Sequence, residues 1–273
     1  MDWAELFPAK DFEFVLRLRR EEPAAYFRPR DSGGSVLTER RHWLDTASGH
    51  HLVATDAVAP VVREFLRRLA DWQLLEPAEL DPSAPAPAAA LLDGLGRRLE
   101  PDLIFLQRDA GAWRLAGGCV CFPSSWSLAE KRGLAVDQIH SIVPGLNPAV
   151  GRSIDQFLGR MAPGIAWCRA NWGISRWGDR NQDPWRGLPR LASGLDPASL
   201  WVRVEHQALL ALPETNGILF AIRVESEPMG SVAQHPPARR GLLRALSTMP
   251  EEMAAYKGLQ PVRAQLCAWL DQG

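Results

Sequence analysis

Two hydrophobic periods divide this chain. After Pro60, the residues Val61, Val62, Phe65, Leu66, Leu69 and Trp72 recur at helical spacing, and the proline presets the first turn. Past a Pro/Ala connector at 81–87 the period shortens to two, which predicts strands at 103–107 and 112–122 joined by a tight turn at Asp109-Ala110-Gly111. Further strands are expected at 165–172, 200–207 and 217–225, the last entered through Thr215-Asn216-Gly217. Between these groups, Ser127-Leu128-Ala129-Glu130 carries a capping-box pattern for a short helix ending at Gly133. Asn147-Pro148 starts another helix, with Val150, Ile154, Phe157, Leu158 and Met161 as its buried stripe. Helices at 237–246, 251–256 and 261–270 close the chain, while residues 1–59 read as mixed and turn-rich around Asp31-Ser32-Gly33-Gly34. Strands flanked by helices on both sides in sequence, without βαβ alternation, predict an α+β fold.

Composition narrows the function. The 273 residues suffice for one large core, and the net charge of −1 gives no support for a nucleic-acid or membrane partner. No run of 18 apolar residues and no secretory h-region occurs, so a soluble, cytoplasmic setting is the expectation. Cys119 and Cys121, two apart on a strand, suit core packing better than zinc, and no GxSxG, Walker, HExxH or GxGxxG pattern is present. Gly117-Gly118 inside a strand pattern marks a bulge or a close backbone approach.

The strand period sorts the remaining candidates. Trp201, Arg203, Glu205 and Gln207 share one face, with Leu200, Val202, Val204 and His206 on the other; Trp167, Arg169 and Asn171 likewise share a side. Such a polar face is either solvated, with an Arg203–Glu205 pair, or turned to a ligand. Two arginine-bearing strands could grip an anionic group. Among the histidines, His42, His50, His51 and His235 read as surface residues and His206 as a core residue. His140, between Pro123 and Pro144-Gly145, fits a metal or haem ligand as well as a structural role. The loop 173–183, with Trp172, Trp177 and Trp185 around it, reads equally as a lid or as a packed surface loop.

In order along the chain, Cys121-Phe122-Pro123-Ser124-Ser125-Trp126-Ser127-Leu128, Ile139-His140 with Val143-Pro144-Gly145, Arg169-Ala170-Asn171-Trp172, the stretch from Leu200-Trp201-Val202-Arg203 to Gln207, and Ile218 to Arg223 carry a resemblance. They resemble the family that includes the haem-binding alpha subunit of haem-dependent oxidative N-demethylase. The resemblance implies a single domain over 1–273 with a PAS-like core at about 100–225: an antiparallel sheet with flanking amino- and carboxyl-terminal helices. It implies haem b, with His140 as axial iron ligand. Arg169, Asn171, Arg203 and Gln207 then line the haem pocket or substrate site, the arginines serve the propionates, and Trp126, Trp167 and Trp172 form walls. It implies oxidative removal of a methyl group from a small, dimethylamine-like amine by dioxygen, releasing formaldehyde. Glu205 is the catalytic candidate that holds the substrate ammonium, and electrons come from a separate flavin or iron–sulfur reductase chain. Two departures bear on this: His206 offers a rival iron ligand, and Arg108 stands where an acidic residue is usual. A non-enzymatic haem or small-ligand sensor, or a relative that has lost haem, are the competing expectations.

Overall fold

The computed structural model describes residues 3–272 apart from 15, 56, 77–80, 82 and 84, so part of the predicted 81–87 connector and of the amino-terminal stretch lies outside the described residues. Seven strands form one sheet: β1 (Arg19–Glu21), β2 (Leu52–Ala54), β3 (Asp102–Asp109), β4 (Ala112–Cys119), β5 (Ala166–Ser175), β6 (Trp201–Leu212) and β7 (Gly217–Pro228). Their order is β1-β5-β6-β7-β3-β4-β2, with every neighbouring pair antiparallel. The helices are α1 (Trp3–Leu6), α2 (Pro23–Phe27), α3 (Ser35–His51), α4 (Val58–Asp71), α5 (Ala88–Gly96), α6 (Val136–His140), α7 (Arg152–Leu158), α8 (Met229–Ala233), α9 (Pro236–Thr248), α10 (Glu251–Tyr256) and α11 (Arg263–Asp271). The chain is therefore α+β, and the antiparallel sheet with its flanking helices is compatible with a PAS-like fold.

The period of two does on β6 what the sequence predicts. Val202 and Val204 pack into the cluster built by α8 to α11, and Ala208, Leu210 and Leu212 into the one built by α2, α4 and α5. Both clusters cover the same face. The buried Glu64 of α4 accepts the backbone N–H groups of Glu214 and Thr215 at 3.1 and 2.9 Å, tying this layer to the β6–β7 turn. The opposite face of β3, β4 and β7 carries Ile104, Leu106, Leu115, Ile218, Ile222 and Val224 under a roof of residues 120–128, α6 and α7.

Two glycines set how closely the strands approach. A Cβ on Gly118 would stand 2.5 Å from the Leu103 carbonyl oxygen, and one on Gly117 2.8 Å from that of Val53. The register also shifts beside them, between Phe105 and Leu106. Gly118→Ala is expected to destabilise by about 2–3 kcal/mol, because backbone on two strands must move to admit one methyl. Urea unfolding measures it, and a loss below about 0.5 kcal/mol would contradict the close approach.

Three predicted elements come out differently. Residues 35–51, read as turn-rich, form the 17-residue α3. Its buried positions are Arg40, Leu44 and His51, so no apolar stripe announces it; His51, read as a surface residue, is fully buried. The capping box at Ser127 does not form, leaving one 3-10 turn at Ala129–Lys131. The helix from Asn147 begins as a π turn, Asn147–Gly151, before α7, which ends at Leu158 and leaves Met161 outside.

Candidate functional site

Strand register lays the site out in rows across the roofed face. Trp167, Leu209 and Phe220 form one row, Arg169, Gln207 and Ile222 the next, Asn171, Glu205 and Val224 the third, and Gly173, Arg203 and Ser226 the fourth. The face thus grades from apolar to charged over four rows. Leu209 and Phe220 stay only half-buried although they sit on central strands, and pack against the roof cluster.

Arg203 is used up by the protein. Its Nε donates to Ser124 Oγ at 2.7 Å, one terminal nitrogen to the Phe122 and Arg180 carbonyls at 2.7 and 2.6 Å, and the other to the Asp179 carbonyl at 3.1 Å. Burial pulls its guanidinium down to about 10, with Glu205 opposing. It therefore clamps the loop at 122–124 to that at 179–180 rather than presenting a free fork. The direct Arg203–Glu205 pair of the solvated reading is replaced by a relay. Ser124 accepts from Arg203 and donates to Glu205 Oε1 at 2.5 Å, while Gln207 and Asn171 donate to Oε2 at 2.8 and 3.4 Å. Ser125, next in the chain, takes a φ of +61°, a strained conformation held by its N–H donating to the Gln182 carbonyl.

Arg169 contrasts with Arg203. Among the described residues it makes no hydrogen bond or ion pair, and burial lowers its pKa against the pull of Glu205. A guanidinium partly withdrawn from water without an acceptor carries a cost that a bound anion would relieve. His140, the last residue of α6, lies in the field of Arg169: burial first, then that charge, lowers its pKa and favours the neutral imidazole, against the opposing Asp137. On one side it borders a cavity of about 200 Å³ lined also by Trp113, Asp137, Asn147, Ile154 and Leu158, with the π turn in its wall.

Two expected members lie elsewhere. The Trp172 ring stands on the opposite face, 5.2 Å from Phe7, because it is one residue out of step with Asn171. His206 is also on that face, its Nε2 3.4 Å from Glu225, so it cannot serve the same slot as His140. Trp126 packs half-buried into the roof cluster. Arg108 is exposed and lies over Trp113 at 5.8 Å, at the β3–β4 turn. The tryptophan-rich loop packs on α3, with Trp185 stacked on His50 at 4.7 Å, and so behaves as a packed surface loop.

Sequence reasoning passed over Ser124 as a relay, and it also missed Asp102, Arg40 and Lys257. Asp102 accepts the Cys121 and Phe122 N–H groups at 2.7 and 3.0 Å and pairs with the buried Arg40, anchoring the loop that presents Ser124. Lys257 follows α10 and donates to the Trp172 carbonyl at 2.7 Å. No group of three His, Cys, Asp or Glu residues suited to a bare metal ion exists among the described residues. Haem needs less: the macrocycle supplies four nitrogens, and one imidazole, cationic partners for two carboxylates and an apolar slot complete the set. His140, Arg169 and the Trp167–Leu209–Phe220 row are of the right kinds for those roles. The chain matches the family described as Haem-dependent oxidative N-demethylase, alpha subunit-like, over residues 68–267, which takes in β3 to β7 and both roof helices.

Proposed function

Since the chain belongs to the haem-dependent oxidative N-demethylase alpha subunit-like family, we propose that it is a haem-dependent oxidoreductase that removes a methyl group from a small secondary amine of the dimethylamine kind. The observation that carries this reading is Arg169, which makes no hydrogen bond or ion pair among the described residues, in the field that reaches His140 and one row from an apolar row on the same sheet face. His140 would hold the iron of haem b, and Arg169 would meet a propionate. When bound, the haem supplies activation of dioxygen toward an N-methyl C–H bond. Overall, one amine, one dioxygen, two electrons and two protons yield formaldehyde, water and the shorter amine. An alpha subunit implies partner chains, and a separate flavin or iron–sulfur reductase chain would supply the electrons.

The chain's own residues do the positioning. Glu205 would hold the substrate ammonium. Ser124, Gln207 and Asn171 keep its carboxylate fixed and aimed, and Arg203 fixes Ser124 in turn. Trp126 and Trp167 bring aromatic surface that excludes water and suits a methylated cation.

The test is direct. Protein purified from haem-supplemented cells should show a Soret band, and dimethylamine with a surrogate reductant under air should release formaldehyde. Absence of the band in wild-type protein defeats the reading. A band without formaldehyde from any small amine leaves a haem protein that senses rather than demethylates.

A further inference from the structure

His140 borders a cavity of about 200 Å³ that lies between the β3–β4 turn, α6, the π turn at Asn147–Gly151 and α7. It is too small for a haem macrocycle, and among the described residues no lysine or arginine lines it to meet a propionate. Two of its lining side chains carry buried polar atoms with no partner among the described residues. One is Trp113 Nε1, a donor, on a residue only 6% exposed; the other is Asn147 Oδ1, an acceptor. The Asn147 amide is held one way round, because its Nδ2 donates to the Asp137 carbonyl at 2.8 Å. Val136, Ile154 and Leu158 make the wall between them apolar, while the carboxylate residues Asp137 and Asp155 are exposed.

We propose that this cavity binds a small neutral amide, whose carbonyl oxygen accepts from Trp113 Nε1 and whose N–H donates to Asn147 Oδ1. A donor and an acceptor that are both out of water and unmet call for one ligand carrying the complementary pair. An amine would answer Asn147 and leave the indole unmet, and a ketone or ester would do the reverse. An anion finds no cation on the wall. A cation seated between Trp113 and Asn147 would lack a buried counter-charge, since both carboxylates stand in water, where they are screened. An engineered cavity of about 150 Å³ takes up benzene, so this one admits roughly eight heavy atoms, the size of an N-alkyl amide or a substituted urea. Gly151 sets the width: a Cβ there would stand 3.4 Å from Asn147 Oδ1, and its φ of −57° suits any side chain. The site is separate from the haem reading, because with His140 committed to iron Trp113 and Asn147 remain as its two partners.

Indole N–H resonances report occupancy. The chain has eleven tryptophans, and the signal lost in Trp113→Phe identifies Trp113. N-methylacetamide, methyl acetate (the same shape without the N–H), dimethylammonium and acetate are each titrated into full-length wild type, Asn147→Leu and Gly151→Val, purified without added haem. The remaining indole signals show that each variant is folded. N-methylacetamide should shift the Trp113 signal of wild type saturably. Methyl acetate should bind wild type about tenfold or more weakly, near 1.4 kcal/mol, and should match the amide in Asn147→Leu. Gly151→Val, which fills the cavity without removing either partner atom, should weaken amide binding by a similar factor. Dimethylammonium and acetate should leave the signal unmoved at the concentration that saturates the amide. Saturation by either ion there makes the cavity an ion site and overturns the amide assignment. So does equal binding of the amide by wild type and either variant, or methyl acetate that matches the amide in wild type. If no probe gives a saturable shift, water alone meets the two groups and the proposal falls.

Discussion

Asp102→Ala is expected to destabilise the protein by about 3–5 kcal/mol, the range for removing one partner of a buried ion pair. Asp102 and Arg40 are 1% and 0% exposed and meet at 2.5 Å. Arg40 also donates to the Gly96 carbonyl at 2.7 Å, so α3, the end of α5 and the start of β3 converge on one guanidinium. Without the carboxylate, that charge stays buried with no counter-ion, and the Cys121 and Phe122 N–H groups lose their acceptor. The effect should reach the site, because the freed loop carries Ser124. Urea unfolding should show a lower midpoint with an unchanged slope. The double change Arg40→Met with Asp102→Leu should recover much of the loss, since replacing both charges by apolar groups removes the uncompensated one. A single-variant loss below about 1 kcal/mol would refute this account.

The second large effect concerns iron. His140→Ala should abolish the Soret band, with haem retention weakened roughly a hundredfold or more, about 2.8 kcal/mol. His206→Ala should keep the band, because that imidazole lies beyond the sheet, beside Glu225. The two variants together distinguish the faces. Loss of the band in His206→Ala with retention in His140→Ala would mean that haem lies on the other side of the sheet. The conclusions drawn from Arg169 would then fall with it.

The strands were legible because their pattern is simple. On β6 the alternation of Val202, Val204, Ala208, Leu210 and Leu212 with Arg203, Glu205 and Gln207 is both its packing and its chemistry. α4 was legible for the same reason, its Val61, Val62, Phe65, Leu66 and Leu69 all being buried. α3 was not, since its inward side is built around Arg40 and His51, groups that count as polar in any periodicity and are buried only because Asp102 and the Val120 carbonyl receive them. The capping box at Ser127 is a local signal, and here the chain between β4 and α6 is held by loop contacts that leave room for a single turn. Trp172 shows the limit of motif reading: it belongs to the matching Arg169-Ala170-Asn171-Trp172 stretch, yet strand geometry sends its ring to the far side.

The sequence by itself determined the α+β class, the sheet face that carries the polar residues, and the family. These follow from short-range periodicity and ordered motifs, which need no knowledge of what packs against what. Only the tertiary structure decided which charges are free. Arg169 and Arg203 look equivalent on two neighbouring strands, but Arg203 meets carbonyls brought to it from residues 122, 179 and 180, and Arg169 makes no hydrogen bond or ion pair among the described residues. The same holds for His140 against His206, and for Lys257, whose place beside β5 depends on how the carboxyl-terminal helices return to the sheet edge. A side chain's partners come from segments distant in sequence, so its charge state and availability are properties of the packed chain alone.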